Sequence, residues 1–132
     1  MALERVNPPS LPRPSGFSHA VITTGGTLVF LAGQTALGPD GRIVGDTVAE
    51  QFGRALGNLI EALRAAGGSP ADLASLTVYV VGLDEYREQG REIGAAWREL
   101  AGRDYPAMAA IGVTRLWDPE ALVEIQGYAV IP

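Results

Sequence analysis

Residues 47–81 read TVAEQFGRALGNLIEALRAAGGSPADLASLTVYVV, and this stretch decides the fold. Its first half has a helical period. Phe52, Leu56, Leu59, Ile60 and Leu63 recur on one side, while Arg54, Asn58, Glu61 and Arg64 fill the other. Thr47 with Glu50 three residues later has the form of a capping box, Asp46 is a rival cap, and Gly67-Gly68 ends the helix. The second half changes character. Ser69-Pro70-Ala71-Asp72 opens a short turn or half-helix, and Leu76–Val81 is a nearly unbroken run of β-branched and aromatic residues. Such a run predicts a strand buried on both faces. A one-sided helix feeding a doubly buried strand implies a helix lying on a sheet.

The flanking sequence extends this pattern. Upstream, Phe17–Thr24 and Leu28–Gly33 are β-like segments on either side of Gly25-Gly26, which predicts a hairpin, and Pro39-Asp40-Gly41 marks a tight turn. Downstream, a second helix is expected from Asp84 to about Leu100, with Tyr86, Ile93 and Trp97 on its buried face. Gly90 and Gly94 within it mark close backbone packing. Two last strands, Ala107–Thr114 and Leu122–Val130, flank a loop carrying Trp117-Asp118-Pro119. The order β-β-α-β-α-β-β predicts an α+β fold, a mixed sheet with two helices packed on one face. The other face is apolar as well, and a chain of 132 residues has no third layer to supply, so self-association is the economical cover. The division expected is an extended N-terminal arm over residues 1–15 and one domain over 16–132.

Composition narrows the function. Apolar residues make up 47% of the chain and charged residues 19%, enough for a core and too apolar for disorder. The longest apolar runs are far too short to span a bilayer, and the proline-rich first fourteen residues do not read as a secretory signal, so a cytoplasmic location is expected. With no cysteine, disulfide and thiolate chemistry are excluded. One histidine and scattered carboxylates argue against a metal site, and no phosphate-cradling or dinucleotide motif occurs, so no cofactor is expected. The net charge is −5 and the basic residues are scattered singly, which disfavours nucleic-acid binding.

A set of short motifs then matches a known family in order and spacing over residues 16 to 130. Gly16-Phe17-Ser18-His19-Ala20-Val21 is similar to an opening "YSHAV" strand, and Leu31-Ala32-Gly33-Gln34 to an "SGQ" signature. Gln51 followed by Asn58-Leu59, Thr77-Val78-Tyr79-Val80, Tyr105-Pro106-Ala107, Arg115-Leu116 and Val123-Glu124-Ile125 continue the pattern. Each motif is weak alone; the ordered set resembles the RidA/YjgF (endoribonuclease L-PSP-like) family. The resemblance implies a chorismate-mutase-like homotrimer whose sheets form a central barrel-like core, with helices outside and ligand clefts between subunits. In that trimer Val78, Val80 or their strand neighbours would face the core.

Deaminating members of the family hold the carboxylate of a small imino or enamine acid with an arginine after the Pro-Ala pair, while a water attacks the imine carbon. The planar fork of arginine suits that task. Here the position is Met108, which has neither charge nor donor. The resemblance thus points to a branch without the catalytic arginine, unless Arg13, Arg103 or Arg115 substitutes. Glu124 matches the family's acid near the attacking water and is the candidate catalytic residue. Its bland alternative is an ion pair with Arg115.

The expected ligand cleft comprises Phe17, His19, Ala32, Gly33, Gly90, Met108, Ala110 and Arg115. His19 is the one proton shuttle available near neutrality, or else a strand histidine bonded to backbone. Gly90 stands where many members carry asparagine. Phe17, Ala32, Met108 and Ala110 all make the cleft less polar than the family pattern, which suggests a less anionic, more hydrophobic ligand. The leading expectation is a homotrimer binding a small metabolite between subunits without ordinary 2-imino acid deamination. The alternatives are an imine deaminase with a substitute cation and a non-catalytic regulatory binding protein. RNA cleavage is disfavoured by the acidity.

Overall fold

A computed structural model of the chain describes residues 3–132. Met1 and Ala2, at the start of the expected arm, lie outside the described residues. Helix α1 runs Val48–Ala65 and carries the expected capping box: Thr47 accepts from the Glu50 backbone, and Glu50 reaches back to the Thr47 backbone. Two further orphan amides at this end are satisfied from another element, since Val48 N donates to Glu85 Oε2 at 3.0 Å and Ala49 N to Gln89 Oε1 at 2.8 Å. After a 3-10 turn at Pro70–Asp72 come strand β4 (Leu73–Val80), helices α2 (Leu83–Glu88) and α3 (Gly90–Ala101), and strands β5 (Ala107–Gly112) and β6 (Val123–Ile131). Before α1 lie β1 (Glu4–Val6), β2 (Ala20–Ile22) and β3 (Thr27–Gln34).

The main sheet has the order β3-β6-β4-β5. It is mixed: β6 is antiparallel to β3 and β4, and β4 is parallel to β5. The helices cover one face. Leu56, Leu59 and Leu63 of α1 and Ile93 and Trp97 of α3 form one core with Leu76, Val78 and Val80 of β4 and Val123, Ile125 and Ala129 of β6. The opposite face exposes Leu28 (54%), Phe30 (72%), Ile111 (43%) and Tyr128 (45%), large apolar side chains in a single sheet layer.

Three expectations need correction. The hairpin of Phe17–Thr24 with Leu28–Gly33 does not form: β2 pairs with β1, in the N-terminal arm, and β3 pairs with the last strand. Turn glycines permitted that hairpin, but pairing follows burial, and Val29 and Leu31 bury themselves beside β6. The second helix is not continuous. It breaks at Gln89, which belongs to neither segment, and Asp84 lies in the first turn of α2 without capping it. Finally, Val78 and Val80 point under the helices and not toward the open face; their neighbours Thr77 and Tyr79 are the β4 residues on that other side.

Two residues of the motif set turn out to be loop anchors. Gln51 is buried; its Nε2 donates to the carbonyls of Gly45 (3.1 Å) and Glu120 (3.2 Å), and its Oε1 accepts from Leu122 N (2.8 Å). Asn58 Nδ2 donates to the carbonyls of Thr35 (3.0 Å) and Leu37 (2.9 Å). Side-chain amides on α1 thereby satisfy backbone groups of the loops around it.

Candidate functional site

The expected cleft residues divide between two faces of the sheet. Strand register decides this. Met108 lies beside Leu76 and Ala110 beside Val78, so both belong to the helix side; Glu124 lies beside Tyr79, on the open side. Ala32 and Gly33 sit on β3, the edge strand opposite β5. One chain therefore brings Met108, Ala110 and Phe17 together, while Glu124 and Gly33 form a separate pair.

Around Met108 lie two adjoining hollows. The first, about 280 Å³, is lined by Phe17, Val78, Tyr86, Met108, Ala109, Ala110 and the Ser15-Gly16 backbone. It contains no charged side chain. The second, also about 280 Å³, runs from Met108 between the helices and Tyr105; Phe52, Tyr86, Ile93 and Trp97 wall it and Arg98 lies on its rim. Ser15 and Gly16 border both hollows. They are held there because Ser18 N donates to Pro106 O at 2.9 Å and Ser18 Oγ to Tyr105 O at 2.7 Å, which lays the arm along the start of β5. A wider groove on the outer side of α1 and α3 carries Arg54, Glu61, Arg64 and Glu99 and none of the candidate residues.

One residue lining the second hollow carries a buried, unsatisfied group. Trp97 is only 4% exposed, and among the described residues its Nε1–H has no acceptor. A buried donor left unpaired costs about 1–3 kcal/mol. Its ring stacks on Tyr105, with centroids 5.9 Å apart and planes at 25°, so the N–H does not aim at that ring's face. Tyr86 contacts Phe52 edge-on at 6.1 Å, and burial raises the pKa of its phenol. Gly90 and Gly94 both border the hollow. Gly94, inside α3, is unfavourable by about 1 kcal/mol relative to alanine, whereas Gly90 is the first residue of that helix. At Gly90 a Cβ would meet nothing within 4 Å; at Gly94 it would lie 3.2 Å from a terminal guanidinium nitrogen of Arg98. A side chain at Gly94 would make the end of Arg98 shift by a few tenths of an ångström.

Arg98 is the cation that sequence reasoning missed. Its only signal there was its place four residues after Gly94. Of the three arginines considered, none lines either hollow. Arg115 is exposed in the loop before β6 and makes no ion pair with Glu124; among the described residues the single salt bridge is Arg5–Asp104 at 4.0 Å. His19 is tied to backbone: Nε2 is 2.8 Å from Pro12 O, its amide donates to Asn7 Oδ1 at 2.8 Å, and its ring meets Phe17 edge-on at 5.2 Å. That is the structural role weighed against a proton shuttle. Glu124 lies against Gly33, and its carboxylate occupies the space where a Cβ would stand. A Cβ at Gly33 would therefore make the flexible Glu124 side chain shift.

Comparison with known proteins agrees with the motif order. Residues 10–131 match the endoribonuclease L-PSP family. The chain belongs to the RidA/YjgF (endoribonuclease L-PSP) family. A RutC family protein of Pyrococcus abyssi is 31% identical over 131 residues, covering 98% of each chain. The crystal structure of a Rid family protein of unknown function, YyfB of Yersinia pestis, superposes with a TM-score of 0.87 at 37% identity, covering 99% of this chain and 100% of that one. Escherichia coli TdcF, solved with bound serine, superposes with a TM-score of 0.70 at 26% identity over 100% of this chain and 99% of TdcF. No described helix is long and apolar enough to cross a membrane.

Proposed function

We propose that this Rid-family chain binds a small metabolite in the cleft around Met108, assembles as a homotrimer with its clefts at subunit boundaries, and does not act as an ordinary 2-imino acid deaminase. One observation carries the reading: of the two hollows that Met108 lines, the one against Phe17 and Val78 has no charged group with which to hold a carboxylate, and the other has only the exposed Arg98. Binding energy there comes from apolar contact with Phe17, Val78 and Ala110. The bound serine of TdcF supports a small-molecule site in this fold.

Self-association is supported by two features. Four large apolar side chains stand exposed on the open sheet face. In addition, Met108 and the Ala32-Gly33 pair occupy opposite edge strands, so only a second copy can bring a β3 edge beside β5. Glu124 would likewise serve the Met108 cleft only from a neighbouring subunit.

Arg98 favours one second reading, an enamine or imine deaminase in which this rim guanidinium replaces the arginine missing at 108. The test is ammonia release from 2-aminoacrylate generated in situ. Negligible release is expected; turnover equal to that of arginine-bearing relatives would overturn the first reading in favour of the second.

A further inference from the structure

We propose that His19 is a positioning residue: it clasps residues 7–17 into a strap over the cleft, and opening of that clasp governs entry to both hollows. This adds gating to the proposed metabolite cleft and rests on that reading.

The strap has fixed feet. Val6 pairs with Ala20 across β1 and β2, which brings the two ends of the segment together. Both feet bear on one carbonyl just before β5: Arg5 Nε donates to Tyr105 O at 3.3 Å, and Ser18 Oγ donates to it at 2.7 Å. Between the feet, among the described residues, no hydrogen bond joins residues 8–17 to the body of the domain; the turn from Leu11 N to Pro8 O, at 3.1 Å, is internal. Pro8, Pro9, Pro12 and Pro14 fix their φ angles and have no N–H to donate, so the segment is stiff. Gly16, at φ +79°, is its one left-handed residue and stands beside the hollows.

His19 closes this loop. Its Nε2 lies 2.8 Å from Pro12 O, and because a carbonyl only accepts, the ring nitrogen is the donor. Its amide donates to Asn7 Oδ1 at 2.8 Å, and its ring meets Phe17 edge-on at 5.2 Å. One residue thus ties the start, middle and end of the strap to each other. What it holds in place is cleft wall: Phe17 lines the first hollow, and Ser15 and Gly16 border both. Ser15 and Gly16 are exposed, which places them at the mouth. A segment held by so few contacts opens locally well before the domain unfolds.

The test is acrylamide quenching of Trp97, which walls the second hollow and is 4% exposed. Trp117, the only other tryptophan and 92% exposed, is first replaced by phenylalanine. Acrylamide is small and neutral and needs no binding site, so the readout does not depend on a metabolite. In the Trp117→Phe background, His19→Ala should raise the quenching constant by about two- to tenfold, the range set by one lost hydrogen bond. Asn7→Ala should act in the same direction. His19→Gln should keep most of the protection, because glutamine carries an Nε2 donor the same number of bonds from its backbone. Thr47→Ala, which removes the α1 cap, should lower the melting temperature without raising the quenching. Unchanged quenching in both His19→Ala and Asn7→Ala would overturn the proposal. Quenching in His19→Gln or Thr47→Ala equal to that in His19→Ala would overturn it too, since general loosening and not the clasp would then account for access. Those results leave the small-metabolite reading intact. Rapid ammonia release by the wild type strikes that broader reading and leaves the clasp standing.

Discussion

On the proposed reading, replacing Met108 by arginine supplies the cation that the first hollow lacks. The expected gain can be worked from the surroundings. A hydrogen-bonded carboxylate–guanidinium pair contributes about 1.5–3 kcal/mol. Expressed in the transition state, that is roughly a 10- to 150-fold rise in kcat/KM for 2-aminoacrylate. Nothing in the first hollow competes for the new charge, since neither Asp nor Glu lines it. Met108 is half-buried on an edge strand, so the longer side chain can carry its guanidinium to the cleft mouth, at a stability cost of about 1–2 kcal/mol. The lower part of the activity range is expected, because Phe17 and Ala32 offer no hydroxyl to orient substrate or water. The assay is coupled ammonia release from 2-aminoacrylate, comparing wild type, Met108→Arg and Met108→Lys. Lysine supplies charge without the planar fork and should recover less. A folded Met108→Arg protein with no gain would refute the reasoning that the clamp alone is missing. A fast wild type whose activity vanishes in Arg98→Gln would show that the cation had moved to α3.

Further outcomes follow from single contacts. Gly33→Ala should lower the melting temperature by only a few degrees, because the Glu124 carboxylate at the end of a flexible side chain can swing aside; Gly127→Ala should cost far more, since its Cβ would land on the Ser75 carbonyl and 3.0 Å from Leu76 Cα, and equal melting points would contradict this. Tyr86 binds its proton more tightly folded than unfolded, so the stability it contributes is present below pH 10 and is lost as pH rises from 10 through the raised pKa; urea titrations from pH 9 upward should show a steeper alkaline loss in wild type than in Tyr86→Phe. Phe30→Asp places a charge on the open face beside Tyr128 and should convert a trimer to monomer in light scattering, whereas a wild type that is monomeric at micromolar concentration would remove the basis for the assembly.

The sequence alone was enough for everything governed by local periodicity and composition. Leu56, Leu59 and Leu63 had to share a helix face, Thr47 with Glu50 made a capping pattern with Asp46 as its rival, and ordered short motifs named the family. The reading that Met108 stands where deaminating members carry arginine was likewise made from motif order alone, because identity at a motif position does not depend on packing. Tertiary structure decided what depends on residues far apart in the chain. Whether β2 pairs with β3 or with Glu4–Val6 turns on which pairing buries more apolar surface, and no turn motif encodes that. Glu124 and Met108 are sixteen positions apart, yet strand register sends one to the open face and the other beneath the helices. No sequence motif marked Arg98; only the folded chain places it beside Gly94 on the lining of the hollow of Trp97. A side chain's identity is written locally, but its neighbours are chosen by the burial of the whole chain.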